Sequence, residues 1–435
     1  MKFGEPRTIH LKLVTPIFIW SGEDINPLSY IVEGGFVHVL DPDRFFRALT
    51  DCERGRYLEW IEPILDRLSE LDDRIAQAGR NRELVRELRR QRRGIEARLS
   101  VERFIRERLR ADPASFVRSR DCIAYSVEYA TRPGDRGFRL HIKDAKHNPY
   151  IPGTELKGAL RTAVLYAMLS DAENLDYAWF KERLSEFRVF LAAELSHLDR
   201  ITDRREKRKR ERRVRRAVEG KLKELSTGLR KKLLRGTKDD AKFDFFKLVH
   251  LSDASPMPQG ALRIEATESA GTKRPTRTFV EALVSGSECE FEVAMAEEIP
   301  WALSKLGLEG LSEWLSVEKL LEASYMRSRD ILDEEARYFA DEPRLQAQIA
   351  RLQGENRPEA PLLRLGAGQG FLSTTVDLHV KRRDARLYDE AIREGASFQR
   401  RWRTQRGNFP KTRRVVTDGQ GNPLALLGWV KLIRV

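Results

Sequence analysis

The chain has 435 residues, of which 41% are hydrophobic and 34% charged, with a formal net charge of +13 at pH 7. That length admits two or three ordinary domains, or one core carrying large insertions. No run reaches the ~18 apolar residues of a membrane helix, and the opening MKFGEPRTIH lacks the apolar centre of a secretory signal, so no membrane and a cytoplasmic address are expected.

Residues 7 to 19, RTIHLKLVTPIFI, place Ile9, Leu11 and Leu13 in alternation before Pro16, which predicts a strand ending in a loop, with SGEDINPLSY as that loop. YIVEGGFVHVLD predicts a hairpin turning at Gly34-Gly35, and DPDRFFRAL a helix capped by Asp41 with Pro42 at its first position. From about Ile61 to Arg110 the spacing of Ile64, Leu68, Leu71, Ile75, Val85, Leu88, Ile95 and Leu99 predicts an antiparallel helical hairpin or a short bundle, with its break at AGRN, 78 to 81. DCIAYSVEYA and GFRLHIKDA read as strands. YIPGTELKGALRTAVLYAM reads as a helix N-capped by Thr154, with a buried stripe of Leu156, Leu160, Val164 and Met168. Further helix follows, and then RREKRKRERRVRR, Arg204 to Arg216, where ten of thirteen residues are Lys or Arg. Such dense like charge predicts a weak helix ordered by an anion, or a solvated loop.

KFDFFKLVHLSDASP is an apolar run, and GALRIEATESA with TRTFVEALVSGSECEFEVAM reads as three strands turning at Ser285-Gly286. Helices are expected over roughly 301 to 323 and 331 to 354, then a basic helix-prone stretch, VKRRDARLYDEAIREGASFQRRWR, and a closing hairpin in VVTDGQGNPLALLGWVKLIRV. Strands enclose helices at both ends, so the class is α+β.

Two features point to chemistry. Lys157 and Arg161 lie near a helix start, where the macrodipole favours anions, so an external anion would reconcile them. LGAGQG has glycines at 366, 368 and 370, which is neither the dinucleotide G-x-G-x-x-G spacing nor a P-loop. It reads either as backbone open to a phosphate or as a tight turn. The seven histidines form neither HExxH nor HxH, and Cys52, Cys122 and Cys289 form no CxxC, so no metal site or cofactor is expected and the thiols are read as buried. His10 or His38 could serve a metal-independent ribonuclease as acid or base, though an ordinary strand histidine is the simpler assignment for each. Asp24, in the first loop, could assist RNA cleavage; Asp253 reads as a structural Asx turn.

Taken together, PIFIWSGEDINPLSYIVEGGFVHVLD, YIPGTELKGALRTAVL, FFKLVHLSDAS, RLGAGQGFLSTTV and LGWVKL resemble the RAMP superfamily of CRISPR proteins, most of all its fifth-Csm-subunit family from type III-A effector complexes. The resemblance implies an RRM-like, ferredoxin-like core with large helical, arginine-rich insertions. It also implies a non-catalytic subunit that binds crRNA, caps the backbone filament at the crRNA 3′ end and assists maturation of that end. The implied partners are crRNA, neighbouring RAMP backbone subunits, target RNA and a recruited host ribonuclease. Thr154, Lys157 and Arg161 match the motif's hydroxyl, lysine and arginine, and Gly366, Gly368, Gln369 and Gly370 its glycine-rich loop. Trp20 and Glu155 depart from it, standing where a glycine and a serine are usual. Arg204, Arg205, Lys207 and Arg208 remain a basic patch for RNA or a partner, and a repeat-cutting RAMP endoribonuclease or another type III backbone subunit is the alternative reading. The expected division is core over 1–55, 121–195 and 243–300, insertions over 56–120 and 196–242, a helical segment over 301–360, and loop plus hairpin over 361–435.

Overall fold

The computed structural model of the chain describes residues 2–79, 81–96, 99–134, 137–170, 175–236, 240–272, 275–399 and 409–435. Its strands are β1 Arg7–Leu13, β2 Trp20–Ile25, β3 Tyr30–Glu33, β4 Phe36–Leu40, β5 Ile123–Tyr129, β6 Phe138–His141 and β7 Val249–Leu251. They continue as β8 Leu262–Ala270, β9 Thr278–Leu283, β10 Glu288–Met295, β11 Leu362–Arg364, β12 Arg413–Thr417, β13 Pro423–Leu426 and β14 Trp429–Arg434. Two sheets result. One runs β11-β14-β1-β10-β7; the other runs β2-β6-β9-β8-β5-β4-β3, with β12 joined to β8 and β13 to β12.

The first sheet is the core. Along the chain, β1, the helix Gly153–Met168, β7, β10, the helix Val317–Tyr338 and β14 follow the β-α-β-β-α-β plan. Their strands lie in the order β14-β1-β10-β7, antiparallel throughout, which is the ferredoxin-like arrangement with β11 added at the edge. Strand β1 forms because Ile9, Leu11 and Leu13 all point to one buried face while Lys12 stays exposed. The predicted stripe of the first helix, Leu156, Leu160, Val164 and Met168, is buried as expected. The two core helices pack together, and Tyr166 donates its hydroxyl to Asp330 at 2.7 Å across the contact.

The second sheet is assembled from three excursions out of this core: β2 to β6 between β1 and the first helix, β8 and β9 between β7 and β10, and β12 with β13 ahead of β14. The stretch SGEDI, expected as loop, is part of β2. Its pairing with β6, Trp20 to His141 and Asp24 to Arg139, supplies a ladder that its polar sequence does not announce. The hairpin at Gly34-Gly35 forms as expected, as does the helix capped by Asp41 with Pro42 at its start. The closing segment makes its hairpin from β12 and β13, but its last strand, β14, crosses to the core sheet.

The helical hairpin is formed by Asp51–Ala78 and Arg82–Glu96, with its break where the sequence placed it. Trp60, Ile61, Phe45, Phe104 and Val117 give this region its own apolar core, and Arg92 donates to Asp72 at 2.7 Å between its two helices. Val317–Tyr338 runs unbroken through the gap expected between 323 and 331. Cys122 and Cys289 are buried, whereas Cys52 is exposed on the first turn of the long helix. The basic stretch after 380 continues as short helices to Gln399, and its last predicted positions, 400 to 403, lie outside the described residues. Among the described residues no helix is long and apolar enough to cross a membrane.

The basic run is the largest departure from expectation. Arg204–Arg230 is one helix of 27 residues, neither a loop nor a marginal helix. Asp203 caps it by accepting from the Glu206 amide at 2.6 Å, Val214 and Val218 are buried, and Arg210 donates to Glu194 of the helix Leu175–Arg200 at 2.7 Å. Packing on its inner face outweighs repulsion on its outer one.

His379 is buried between the rings of Tyr166 and Tyr177, and burial first, then the nearby Arg383, depress its pKa to about 4. Because the folded pKa lies below the unfolded one, the contribution is present above pH 6.5 and is lost as pH falls toward 4. Relative to His379→Gln, the native chain is expected to lose about 2 kcal/mol of unfolding free energy between about pH 6.5 and 5, at ~1.4 kcal/mol per unit, in urea melts at stepped pH.

Candidate functional site

The helix Gly153–Met168 starts with Pro152 in the cap position, whose side chain accepts nothing, and Thr154 is exposed one residue inside. The cap expected of Thr154 is instead supplied from far along the chain: Asp253 Oδ1 accepts from the Gly153 amide at 2.7 Å. Gly153 is what lets the 252–253 backbone come so close, since a Cβ there would lie 2.6 Å from the Ser252 carbonyl oxygen. The carboxylate of Asp253 thus meets the helix dipole with an anion of the chain's own.

The two cations also have internal partners. Lys157 Nζ donates to the Val249 carbonyl at 2.6 Å, and burial lowers its pKa against the opposing pull of Asp244. Arg161 donates to Asp244 Oδ2 at 2.6 Å. Both therefore fasten the helix to the segment leading into β7, with Lys157 half-buried and keeping N–H groups to spare.

Glu155, at odds with the family motif, holds the glycine-rich loop. Its Oε1 accepts from the Gly366 amide at 2.7 Å and from Gln369 Nε2 at 2.9 Å. The loop is pinned on its other side by backbone bonds from Ala367 to the Phe18 carbonyl, 2.8 Å, and from Leu365 to the Gly428 carbonyl, 2.7 Å, while Gly428 donates to Pro16 at 2.9 Å. Gly366 sits at φ +63°, where a Cβ would come within 2.4 Å of the Phe18 carbonyl oxygen, so both its conformation and its clearance demand glycine. Gly368 packs on Leu427, and Gly370 stands open to solvent.

The segment Thr15 to Phe18 after β1, the helix start, the 252–253 turn, the glycine-rich loop and the Leu427-Gly428-Trp429 corner, up to 414 residues apart in sequence, therefore meet at one seam between the two sheets. Beneath it, Arg364 at the end of β11 and Arg413 at the start of β12 converge on Glu335 of the second core helix, at 3.5 and 2.7 Å. That buried triad ties sheet to sheet.

The remaining candidates lie elsewhere or are committed. His10, on β1, is flanked by Glu288 at 3.3 Å and Glu290 at 3.5 Å. His38, on β4, makes a 2.7 Å hydrogen bond with Ser126, and burial and then Arg118 lower its pKa. Asp24 accepts from Trp20 Nε1 at 3.2 Å and lies 3.6 Å from Arg139, so it is a strand residue with local partners. Arg204, Arg205, Lys207 and Arg208 occupy the first turns of the long basic helix. Asp253, expected to form an Asx turn, caps the helix instead, with the Ser255 amide bound to the Glu290 carbonyl, and sequence reasoning passed over Gly428 and Glu335 as parts of this region. Glu155 carried the one visible signal, a carboxylate at a motif position where none is expected.

A family model of the RAMP superfamily matches residues 10–341. The chain belongs to the RAMP superfamily. Within it, a CRISPR system protein Csm5 from Methanocaldococcus jannaschii is 33% identical over 58 residues, a match spanning 13% of this chain and 14% of that protein's length. Among solved structures, a chain of a Csm-crRNA-target RNA ternary complex from a type III-A CRISPR-Cas system aligns over 98% of this RAMP protein and 100% of its own length, at TM-score 0.65 and 21% identity. The crystal structure of T. onnurineus Csm5 aligns over 97% and 99%, at TM-score 0.56 and 19% identity. The α+β RAMP fold is thus common to this chain and the two solved structures.

Proposed function

We propose that this RAMP protein is a non-catalytic crRNA-binding subunit of a type III-A Csm effector complex, capping the backbone filament at the crRNA 3′ end and assisting maturation of that end. The observation that carries the reading is the seam: every stretch that resembles the family contributes residues to one junction where Glu155 locks the helix start to the glycine-rich loop. A relative of the same fold is part of a Csm-crRNA-target RNA complex, which supports crRNA, target RNA and neighbouring Csm subunits as partners here; recruitment of a host ribonuclease is part of the same proposal. At the seam Thr154, Gly370 and the free donors of Lys157 and Arg161 face outward or partly so, and they are the groups proposed to meet guide phosphates.

Guide RNA is expected to co-purify with the tagged chain when the other Csm subunits are co-expressed, and removing this chain is expected to leave guides with longer, more heterogeneous 3′ ends. Lys157→Ala should weaken guide binding and reduce the log–log salt slope by about 0.7, one phosphate for a single strand, without altering base preference. Absence of guide RNA from the purified assembly overturns the reading, as does a discrete repeat-cleavage product in EDTA that disappears in His10→Ala or His38→Ala.

A further inference from the structure

The helix Arg204–Arg230 has a use that the seam does not absorb. Its inner face is packed and paired: Val214 and Val218 are buried, Arg210 pairs with Glu194 at 2.7 Å, and Lys207 lies 3.8 Å from Asp199. Its outer face is not. Arg204, Arg205, Arg208, Lys209, Arg212, Arg213 and Arg216 are all exposed, and among the described residues none of the seven has a carboxylate within ion-pair distance. Of the acids in the same turns, Asp203 is used as the cap and Glu211 is half-buried, which leaves Glu206 exposed beside the seven cations.

Position along the helix turns these charges into a pattern. Arg204, Arg208, Arg212 and Arg216 are spaced by four, so they form one ridge with charges about 6 Å apart along the axis. Arg205, Lys209 and Arg213 form a second ridge beside it. Side chains at these spacings repel one another, and exposed like charges held on a rigid helix lower the stability of the free protein. A linear polyanion removes that repulsion along the whole ridge at once, because its charges recur at a comparable step and each guanidinium can grip a phosphate through two donors.

We propose that the outer face of Arg204–Arg216 is a second RNA site: a sequence-independent rail for the phosphodiester backbone of a single strand, separate from the seam. A membrane surface fits less well, since the face carries no exposed large apolar side chain beside its cations. An acidic protein segment is the other polyanion that the test must separate.

The test uses the full chain and a short unstructured single-stranded RNA unrelated to any guide, titrated over a salt series. The variant replaces Arg204, Arg208, Arg212 and Arg216 together by glutamine, a comparable helix former, and circular dichroism checks that helicity is kept. The log–log slope is expected to lose about 3 in magnitude, four contacts at ~0.7 each, with affinity falling by about tenfold or more. The matching four-lysine variant is expected to retain the slope. An unchanged slope overturns the proposal, and an unchanged slope combined with lost binding to polyglutamate assigns the face to an acidic protein instead. Guide co-purification separates the two readings: if it survives in the glutamine variant while the slope drops, rail and seam are distinct sites. If native chain brings down no guide yet shows the slope change, the seam reading fails and the rail stands.

Discussion

Glu335→Ala is expected to destabilise the fold by about 3–5 kcal/mol, the cost of leaving buried charge without its partner. Arg364 and Arg413 have side chains only 1% and 4% exposed, and Glu335 is the carboxylate both approach. Burial already disfavours the charged form of Arg364, Glu335 opposes that, and Arg413 adds repulsion, so removing the acid leaves two guanidiniums facing each other in low dielectric. Arg364 keeps its bond to the Leu427 carbonyl and its place over the Trp429 ring, and Arg413 its bonds to Pro410 and Thr412, but neither set neutralises charge. Urea melts measure the loss. Glu335→Gln, which preserves volume and an acceptor, should fall between native and alanine. A loss in Glu335→Ala below 1 kcal/mol would mean that the triad is not what couples the sheets, as surface pairs contribute that little.

The second large effect is expected at the glycine-rich loop. Gly366→Ala combines a left-handed backbone, about 1 kcal/mol, with a contact to the Phe18 carbonyl that must be relieved by moving backbone, a further ~1–3 kcal/mol. Moving that backbone breaks the alignment of the Gly366 amide with Glu155, so guide affinity should fall with stability. Gly370→Ala provides the contrast: its φ is also left-handed at +66°, yet nothing lies within 4 Å of the added carbon. It should cost only the conformational part, about 1 kcal/mol, with no clash to add to it. Equal losses in the two variants would show that clearance against Phe18 is unimportant.

These two sites show which parts of the molecule were legible in the sequence. Periodicity identified β1, the buried stripe from Leu156 to Met168 and the helical hairpin, because each is dictated by side chains a few positions apart. The Gly34-Gly35 turn and the Asp41-Pro42 start were equally local. The cap on Gly153 was not, since Asp253 lies 100 residues away and nothing in PGTELKG asks for it. Strand β2 hid because edge pairing to β6, rather than its own polar residues, makes it a strand. The basic helix was misjudged for a related reason: charge density was visible, but the buried Val214 and Val218 and the Glu194 partner that outweigh repulsion needed the fold. The glycine loop was recognised by family likeness, while the tether that Glu155 provides was left as an anomaly of that likeness.

The order of the core sheet bears on how the chain reaches this structure. Strand β1 pairs on one side with β10 and on the other with β14, so Leu13 must find Val430, whereas Glu33 meets Phe36 across a turn. Closing the longer loop costs about 4–5 kcal/mol more in chain entropy, from the logarithmic dependence on separation. Strand β1 sits mid-sheet in the finished protein, yet one of its two sides stays open until sequence more than 400 residues downstream arrives. The local hairpins of the inserted sheet, β3 with β4, β8 with β9 and β12 with β13, are therefore the contacts least delayed. The pairing of β1 with β14 is the contact that closes last.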